Sequence, residues 1–151
     1  MLHVVVGPPC AGKSTYVAEN AEPDELRIDF DAIAQTLGSS VAHAATGNVK
    51  DAAFAARAAL IDHALAHPDA TAWIIHTAPT AAQLDAYKAA DAAVHVVDPG
   101  VDVCLRRAED DDRPDHTAGA IASWYDDPPV VAVSTPKRRA LEVDLLSVNL
   151  N

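Results

Sequence analysis

An apolar run followed by a glycine-rich loop with a lysine, near the start of the chain, constrains the fold more than any other feature. Residues 2–6 are predicted to form a short buried strand that ends at Gly7. The next eight residues, Gly-Pro-Pro-Cys-Ala-Gly-Lys-Ser, match the pattern G-x-x-x-x-G-K-[ST]. Gly7 and Gly12 let the backbone N–H groups point inward, and a helix expected from Lys13 adds its positive N-terminal end. The sequence therefore predicts a phosphate-binding loop.

This loop is the P-loop, or Walker A, pattern, and its residue types suit ATP and Mg²⁺. Lys13 is expected to neutralise the β- and γ-phosphates, and the Ser14 hydroxyl is expected to contact Mg²⁺. The residues predicted to bind ATP are Gly7, Pro8, Pro9, Cys10, Ala11, Gly12, Lys13, Ser14 and Thr15. Switches and motors share the loop but usually close a strand with a carboxylate for Mg²⁺. The third expected strand ends instead at His76-Thr77, which favours a kinase.

The rest of the chain alternates between expected strands and helices. Further strands are predicted at 25–29, 72–75 and 93–97. Helices are predicted at 31–37, 49–67, 80–90 and 117–125, and another helix follows the turn at 98–100 and ends at 107. An edge strand at 130–133 and a helix at 136–146 are predicted in the tail. In the helix at 49–67, Phe54, Ala58, Ile61 and Leu65 form one apolar stripe. The alternation predicts a single α/β domain with a mainly parallel sheet and helices on both faces.

Composition limits the partners and the compartment. The formal net charge of −11 argues against broad binding to duplex DNA, while a short nucleic-acid end held locally remains allowed. No apolar stretch approaches the length that spans a bilayer, and residues 1–6 lack the features of a signal peptide. Cys10 and Cys104 match no metal motif and are expected to be free thiols. We therefore expect a soluble, cytoplasmic protein.

Two carboxylates, Asp29 and Asp31, follow the second expected strand, where open α/β sheets build their sites. In phosphoryl transfer one carboxylate orients the acceptor hydroxyl and accepts its proton, and another can hold Mg²⁺ through water. We assign Asp31 the first role and Asp29 the second. The alternative is that Asp31 is the N-cap of the following helix.

An arginine-bearing segment follows the fourth expected strand. Arg106, Arg107 and Arg113 lie around the acidic run 109–112, and a lid is expected at about 108–116. Arg107 and Arg113 are predicted to bind phosphates, and Arg113 to act in catalysis, because planar guanidinium groups suit phosphate oxygens. The alternative is a solvated helix end where Arg106 and Arg107 pair with Glu109 and the aspartates.

Three aromatic or imidazole side chains have two interpretations each. His76 ends the third expected strand and is either a hydrogen-bonded structural residue or part of the catalytic or substrate site. Trp124 and Tyr125 are either core residues of a helix or a platform on which a base could stack.

Three segments in order resemble the kinase domain of phage-type polynucleotide 5′-hydroxyl kinases and related small P-loop kinases. They are the loop Gly-Pro-Pro-Cys-Ala-Gly-Lys-Ser-Thr, the segment Ile-Asp-Phe-Asp-Ala-Ile-Ala-Gln, and residues 106–114. The resemblance covers the chain to about Tyr125 and implies a three-layer P-loop NTPase fold with an arginine-bearing lid. It implies that Asp31 is the general base on a 5′-hydroxyl, that Lys13 and Ser14 bind ATP and Mg²⁺, and that Arg113 and Arg107 bind phosphates.

The chain departs from that family at two places. Ala34 stands where the family has an arginine that contacts the acceptor's phosphate, and His76-Thr77 stands where it has an acidic residue. The leading hypothesis is an ATP-dependent kinase acting on a nucleic-acid 5′ end or a nucleotide. A kinase for a nucleoside, sugar, antibiotic or nucleotide sugar is the second hypothesis. A nucleotide-binding module without transfer activity is the third.

Overall fold

The computed structural model describes residues 1–40 and 43–131. Its elements are β1 (Leu2–Val6), α1 (Lys13–Asn20), β2 (Leu26–Ile28), α2 (Phe30–Thr36), α3 (Gly47–Ala66), β3 (Ala72–His76), α4 (Ala81–Ala89), β4 (Ala93–Val96), α5 (Val101–Asp110) and α6 (His116–Asp126). The predicted α/β alternation is confirmed. In this part of the chain, no helix combines the length and apolar character needed to cross a membrane.

The sheet is parallel throughout and has the order β2-β3-β1-β4. Strand β1 is therefore internal, with Val4 paired to Ile74 of β3 and to Val94 of β4. Val4 and Val5 are 0% exposed, because a parallel strand with helices on both faces is buried on both sides. This explains why the run at 2–6 is almost continuously apolar.

The two faces of the sheet bury different helices. On one face, Val4 and Ile74 pack in a cluster with Ile61 of α3 and Tyr87 of α4. On the other face, Val5 packs with Val17 of α1. This arrangement follows from right-handed crossovers, since β1 connects to β2 in one direction along the sheet and β3 connects to β4 in the other.

Several predicted boundaries need correction. Helix α5 continues to Asp110 instead of ending at 107, and α6 begins at His116. Most of the expected lid at 108–116 is thus a short connection, 111–115, with helical residues at either side. Val130 and Val131 belong to no strand. The rest of the predicted strand at 130–133 and the predicted helix at 136–146 lie outside the described residues.

The predicted apolar stripe of α3 does not face the core as a unit. Ile61 is buried, but Phe54 is 52% exposed and Ala58 is also exposed. The buried face includes Ala53 and Ala64, so the helix is turned by about one residue relative to the stripe. Alanine lies on every side of α3. Because every face has small apolar residues, the sequence does not indicate clearly which face packs against the core.

A polar network lies between β1, β4 and α1. The His3 Nδ1 and His95 Nε2 atoms are 3.0 Å apart, and the Tyr16 hydroxyl is 3.0 Å from His95 Nδ1. The His3 ring also stacks on Trp73 with the ring centres 4.0 Å apart. Burial lowers the pKa of His3 and of His95, and each of the two histidines also has the other as a hydrogen-bond partner. A second proton on either ring would place a positive charge in this half-buried network, which burial disfavours.

We predict that stability falls in acid because of this network. In the folded protein the pKa values of His3 and His95 lie below the ordinary histidine value of 6.5. Below that pH the unfolded chain therefore binds more protons than the folded protein, and stability is lost. The free energy of unfolding, measured in urea, should be lower at about pH 5.5 than at about pH 7.5. The double variant His3→Gln/His95→Gln should show a smaller decrease. An equal decrease in both proteins would contradict the prediction.

Candidate functional site

The carboxyl ends of the strands open into a cleft of about 1660 Å³. The connections after β1 and β3, which are neighbours in the sheet, leave in opposite directions. Such a switch point is where open α/β sheets bind their ligands. The loop after β1 and His76 at the end of β3 both line the cleft, so the sequence-predicted site lies where the topology favours one.

The loop after β1 curves around the ammonium group of Lys13. The Lys13 Nζ atom donates hydrogen bonds to Gly7 O at 2.9 Å and to Pro8 O at 2.7 Å. Cys10 and Gly12 have positive φ angles of 61° and 96°, which turn the backbone. Lys13 is 9% exposed, and burial lowers its pKa to about 8 while the nearby Asp29 charge opposes this change. The lysine therefore lies inside a concave loop and lines the cleft.

Glycine is required at position 7 because no side chain fits there. A Cβ atom built on Gly7 would lie 2.2 Å from the Val97 carbonyl oxygen, closer than real Cβ atoms come to backbone. The Val97 N–H meanwhile donates to Val6 O at 2.8 Å. The end of β4 is thus held directly against the start of the loop.

Ser14 and Asp29 are in direct contact. Ser14 Oγ donates to Asp29 Oδ2 at 2.8 Å, and Asp29 Oδ1 accepts from the Asp31 N–H at 3.1 Å. Asp29 is therefore the N-cap of α2, and the alternative that Asp31 caps this helix is wrong. The reason is that β2 ends at Ile28, so the extended residue that precedes the helix is Asp29.

Asp31 lines the same cleft as Lys13 and has an unpredicted neighbour. His43 Nδ1 lies 2.6 Å from Asp31 Oδ2. His43 has a positive φ of 60° and follows Asp31 by twelve residues, in the connection between α2 and α3. No periodicity or motif indicated this contact, because a loop residue's partner depends on the path of the loop.

The two arginines predicted to bind phosphate differ in their surroundings. Arg107 is in α5, and its Nη1 donates to Cys10 O at 3.2 Å and to Ala11 O at 2.9 Å. Arg107 is therefore hydrogen-bonded to the loop backbone, and it belongs to a helix instead of a free lid. Arg113 Nη2 lies 3.5 Å from Asp111, whereas Arg106 and Arg107 form no ion pair within the described residues. Both arginines line the cleft, whereas Arg106 does not.

A third arginine, Arg57 of α3, also lines the cleft and was missed by the sequence analysis. Its Nη2 donates to the Ile75 carbonyl at 2.7 Å, and its Nε is buried without a hydrogen-bond partner in the described part of the chain. By contrast, Ala34 is 2% exposed and does not line the cleft. Arg57 follows Phe54 by three residues, the helical spacing that puts two side chains on one face, but the sequence did not indicate that this face lines the cleft.

The remaining side chains with two interpretations have structural partners. His76 Nε2 lies 2.7 Å from the Tyr87 hydroxyl, and burial, with the Arg57 charge, lowers the pKa of His76 to about 3. A neutral, hydrogen-bonded histidine fits the structural interpretation. Trp124 is buried and donates from Nε1 to Thr77 O at 2.9 Å, and Tyr125 donates to Asp98 Oδ1. Neither is placed as an open stacking platform.

The cleft offers few protein ligands for a metal. No group of three or more His, Cys, Asp and Glu side chains within residues 1–40 and 43–131 could hold a metal ion. Mg²⁺, however, is commonly bound by one or two protein oxygens together with phosphates and water. The Ser14–Asp29 pair, 2.8 Å apart at the mouth of the loop, fits that kind of site.

Comparison with known proteins adds no assignment to this geometry. No family model matches the chain, and no curated protein matches it either. A functional proposal therefore depends on the residues and contacts described above.

We predict that Gly7→Ala disrupts the start of the loop. The new methyl group would overlap the Val97 carbonyl, so the free energy of unfolding should fall by about 3 kcal/mol. Gly119→Ala is the matched control, since Gly119 lies inside α6 with nothing within 4 Å of its Cβ position. The control should gain about 0.5–1 kcal/mol. Urea unfolding followed by circular dichroism measures both, and unchanged stability of Gly7→Ala would contradict the prediction.

Proposed function

We propose that this protein is an ATP-dependent kinase that transfers the γ-phosphoryl group to a hydroxyl of a nucleotide or of a nucleic-acid 5′ end. The observation that carries the proposal is that one cleft is lined by Lys13, by the Ser14–Asp29 pair and by Asp31. Phosphoryl transfer needs a cation at the phosphates, a site for Mg²⁺ and a group that orients the nucleophile. These three requirements are met by side chains from β1–α1 and β2–α2.

We also propose that the chain has the three-layer P-loop NTPase fold. The loop follows β1, an internal strand of a parallel sheet, and leads directly into α1. Helices cover both faces of this sheet. A strand, a tight loop and a helix N-terminus in this order are the structural context that the loop pattern requires.

On the donor side, the loop and two arginines provide positive charge. Lys13 has two hydrogen bonds to carbonyl oxygens in the structure, and a triphosphate would offer its ammonium group more strongly charged acceptors. Arg107 uses Nη1 to hold the loop and has further N–H groups for phosphate oxygens. Arg113 lines the cleft beside Asp111 and can add a further cation.

Ser14 and Asp29 are the residues that would hold Mg²⁺, Ser14 through its hydroxyl and Asp29 through a water molecule. When bound, the ion neutralises charge on the β- and γ-phosphate oxygens. Asp29 also stays in place as the N-cap of α2, which restricts the position of its carboxylate.

On the acceptor side, Asp31 orients the hydroxyl and receives its proton. The acceptor oxygen forms a bond to the γ-phosphorus, the bond from that phosphorus to the β–γ bridging oxygen breaks, and ADP leaves with the electron pair. The acceptor proton goes to the Asp31 carboxylate. His43 contacts Asp31 Oδ2 and restricts the rotation of the carboxylate.

A transfer assay tests the proposal and separates it from the alternatives. The protein is incubated with Mg²⁺, γ-labelled ATP and, in separate reactions, 5′-hydroxyl oligonucleotides, nucleosides and nucleotides. Labelled product from an oligonucleotide or a nucleotide supports the proposal, whereas labelled product from a nucleoside alone would favour the small-molecule kinase. Labelled product only from a non-nucleotide metabolite would favour the small-molecule kinase, and ATP binding without any acceptor-dependent transfer would favour the non-catalytic module.

We predict that Asp31→Asn loses transfer but keeps ATP binding, because an amide cannot accept the acceptor's proton. The loss of kcat should be about 10²- to 10⁴-fold, with the Kd for ATP changed little. Asp62→Asn is the control, since Asp62 is an exposed carboxylate that lines the same cleft away from the loop. Labelled-phosphate transfer and calorimetric ATP titration measure the two quantities. Unchanged transfer in Asp31→Asn would remove this residue from the mechanism.

The affinity for ATP should decrease above pH 8. The pKa of Lys13 is lowered to about 8 in the free protein, and bound phosphates favour its charged form and raise that pKa. Above pH 8, binding must therefore take up a proton, and affinity should fall by up to about tenfold per pH unit. Calorimetric titration with ATP and Mg²⁺ between about pH 7.5 and about pH 9.5 measures this effect. A Kd that is constant over this range would contradict the assignment, and Lys13→Ala should bind no ATP.

A further inference from the structure

Arg57 has far fewer partners than a guanidinium group in a cleft requires. Of the five N–H donors of an arginine, the contacts in the described residues use one nitrogen, Nη2, which donates to Ile75 O. The Nε atom is buried without a partner. No described carboxylate lies within ion-pair distance of Arg57. Within residues 1–40 and 43–131, no carboxylate is therefore paired with the positive charge of this side chain.

This charge has an energetic cost. Burial lowers the pKa of Arg57, with Tyr87 and Asp29 acting in the opposite direction, which shows that the surroundings disfavour the cation. A partly buried charge is normally paired or hydrogen-bonded. The contact with Ile75 O attaches α3 to the end of β3, and a single hydrogen bond from a neutral side chain could do the same. The structural role thus accounts for only part of the guanidinium group.

The position of Arg57 relates it to the acceptor. It lies over the end of β3. Its charge lowers the pKa of His76, and the charge of Asp29 raises the pKa of Arg57 itself. Asp31 follows β2, the neighbour of β3 in the sheet, and both side chains line the cleft. The loop and its lysine follow β1, on the other side of β3. Arg57 is therefore beside the place where the acceptor must meet Asp31.

The wall next to Arg57 is apolar. Phe54 lies one turn earlier on the same face of α3, is 52% exposed and lines the cleft. Its ring packs against Phe30 with the centres 4.5 Å apart, which fixes its orientation. Ala58, Ala82 and Ala86 also line the cleft, and their small side chains leave space in it.

We propose that Arg57 binds an anionic group, a phosphate or a carboxylate, of an acceptor whose apolar body packs on Phe54. This inference rests on the proposed kinase function, because it names the substrate class for the acceptor side of the same cleft. The net charge of −11 repels anions at long range, so an anionic acceptor needs a local cation. Arg57 is a partly buried cation at this position, whereas Lys50, which also lines the cleft from α3, is exposed. We infer that Arg57 acts as a specificity-determining residue.

Binding of paired acceptors tests the proposal. Thymidine 3′-monophosphate is compared with thymidine, and 4-(hydroxymethyl)benzoate with 4-(hydroxymethyl)benzamide, so that each pair differs in its anionic group. Kd values are measured by calorimetry with the protein saturated with Mg²⁺ and a non-hydrolysable ATP analogue, which occupies the loop. The two pairs distinguish a phosphate from a carboxylate as the preferred anion.

The expected result is that wild type binds at least one anionic probe about 10- to 100-fold more tightly than its neutral partner. Arg57→Met should reduce this preference below about threefold and leave the neutral probes little affected. Arg57→Lys should retain part of it, because it keeps the charge but loses the planar fork. Lys88→Met is the control, since it removes one exposed positive charge of α4 outside the cleft, and it should keep the full preference.

Several outcomes would overturn the proposal. They are the absence of an anion preference in wild type, a preference that survives Arg57→Met, and an equal loss of affinity for the anionic and neutral probes. Thermal unfolding of each variant shows whether it is folded. If Arg57→Met does not fold, Arg57→Lys tests the proposal. Should the ATP analogue fail to bind, the same titrations are made on the free protein and on Lys13→Ala. The kinase proposal is decided separately by transfer of label, so its failure and that of the Arg57 proposal are distinguishable.

Discussion

The approach of the Val97 carbonyl to Gly7 is the contact on which the loop and the cleft depend. It exists because β1 and β4 are parallel neighbours whose hydrogen bonding continues one residue beyond β4, through Val97 N–H to Val6 O. Only a residue without a side chain fits at this point. From there the loop turns through two positive φ angles and begins α1 at Lys13, and Arg107 holds its outer side from α5. The sheet and two helices thus fix the loop before any ligand binds.

The cleft divides into two regions of different chemistry. The region around β1 is rich in N–H donors and cations, which suits phosphates. The region around β2 and β3 has Asp31 and Arg57 beside an apolar wall of α3. This division is a direct result of the strand order, since β3 separates β2 from β1 in the sheet. In the proposed kinase, an acceptor and a donor would therefore approach each other from opposite sides of the same cleft.

The sequence predicted those features that local chemistry determines. The apolar runs gave the strands, the glycine and lysine pattern gave the loop, and the pair Asp29 and Asp31 was expected at the cleft, where it lies. The alternative that Asp31 caps α2 was wrong by two positions, since Asp29 is the cap and strand ends are not encoded sharply. The orientation of α3 was not predictable from its alanine-rich sequence, and so Arg57 was missed. Its contact with Ile75, eighteen residues away, depends on how α3 crosses the sheet, which no short segment specifies.

Asp29 has two partners that belong to different parts of the cleft. One carboxylate oxygen accepts from Ser14 at the start of α1, and the other caps the helix in which Asp31 stands. In the proposed kinase, a donor bound at Ser14 would therefore change the contacts of the carboxylate that caps the first turn of α2. The two substrates are then thermodynamically linked, and each binds with an affinity that depends on whether the other is present.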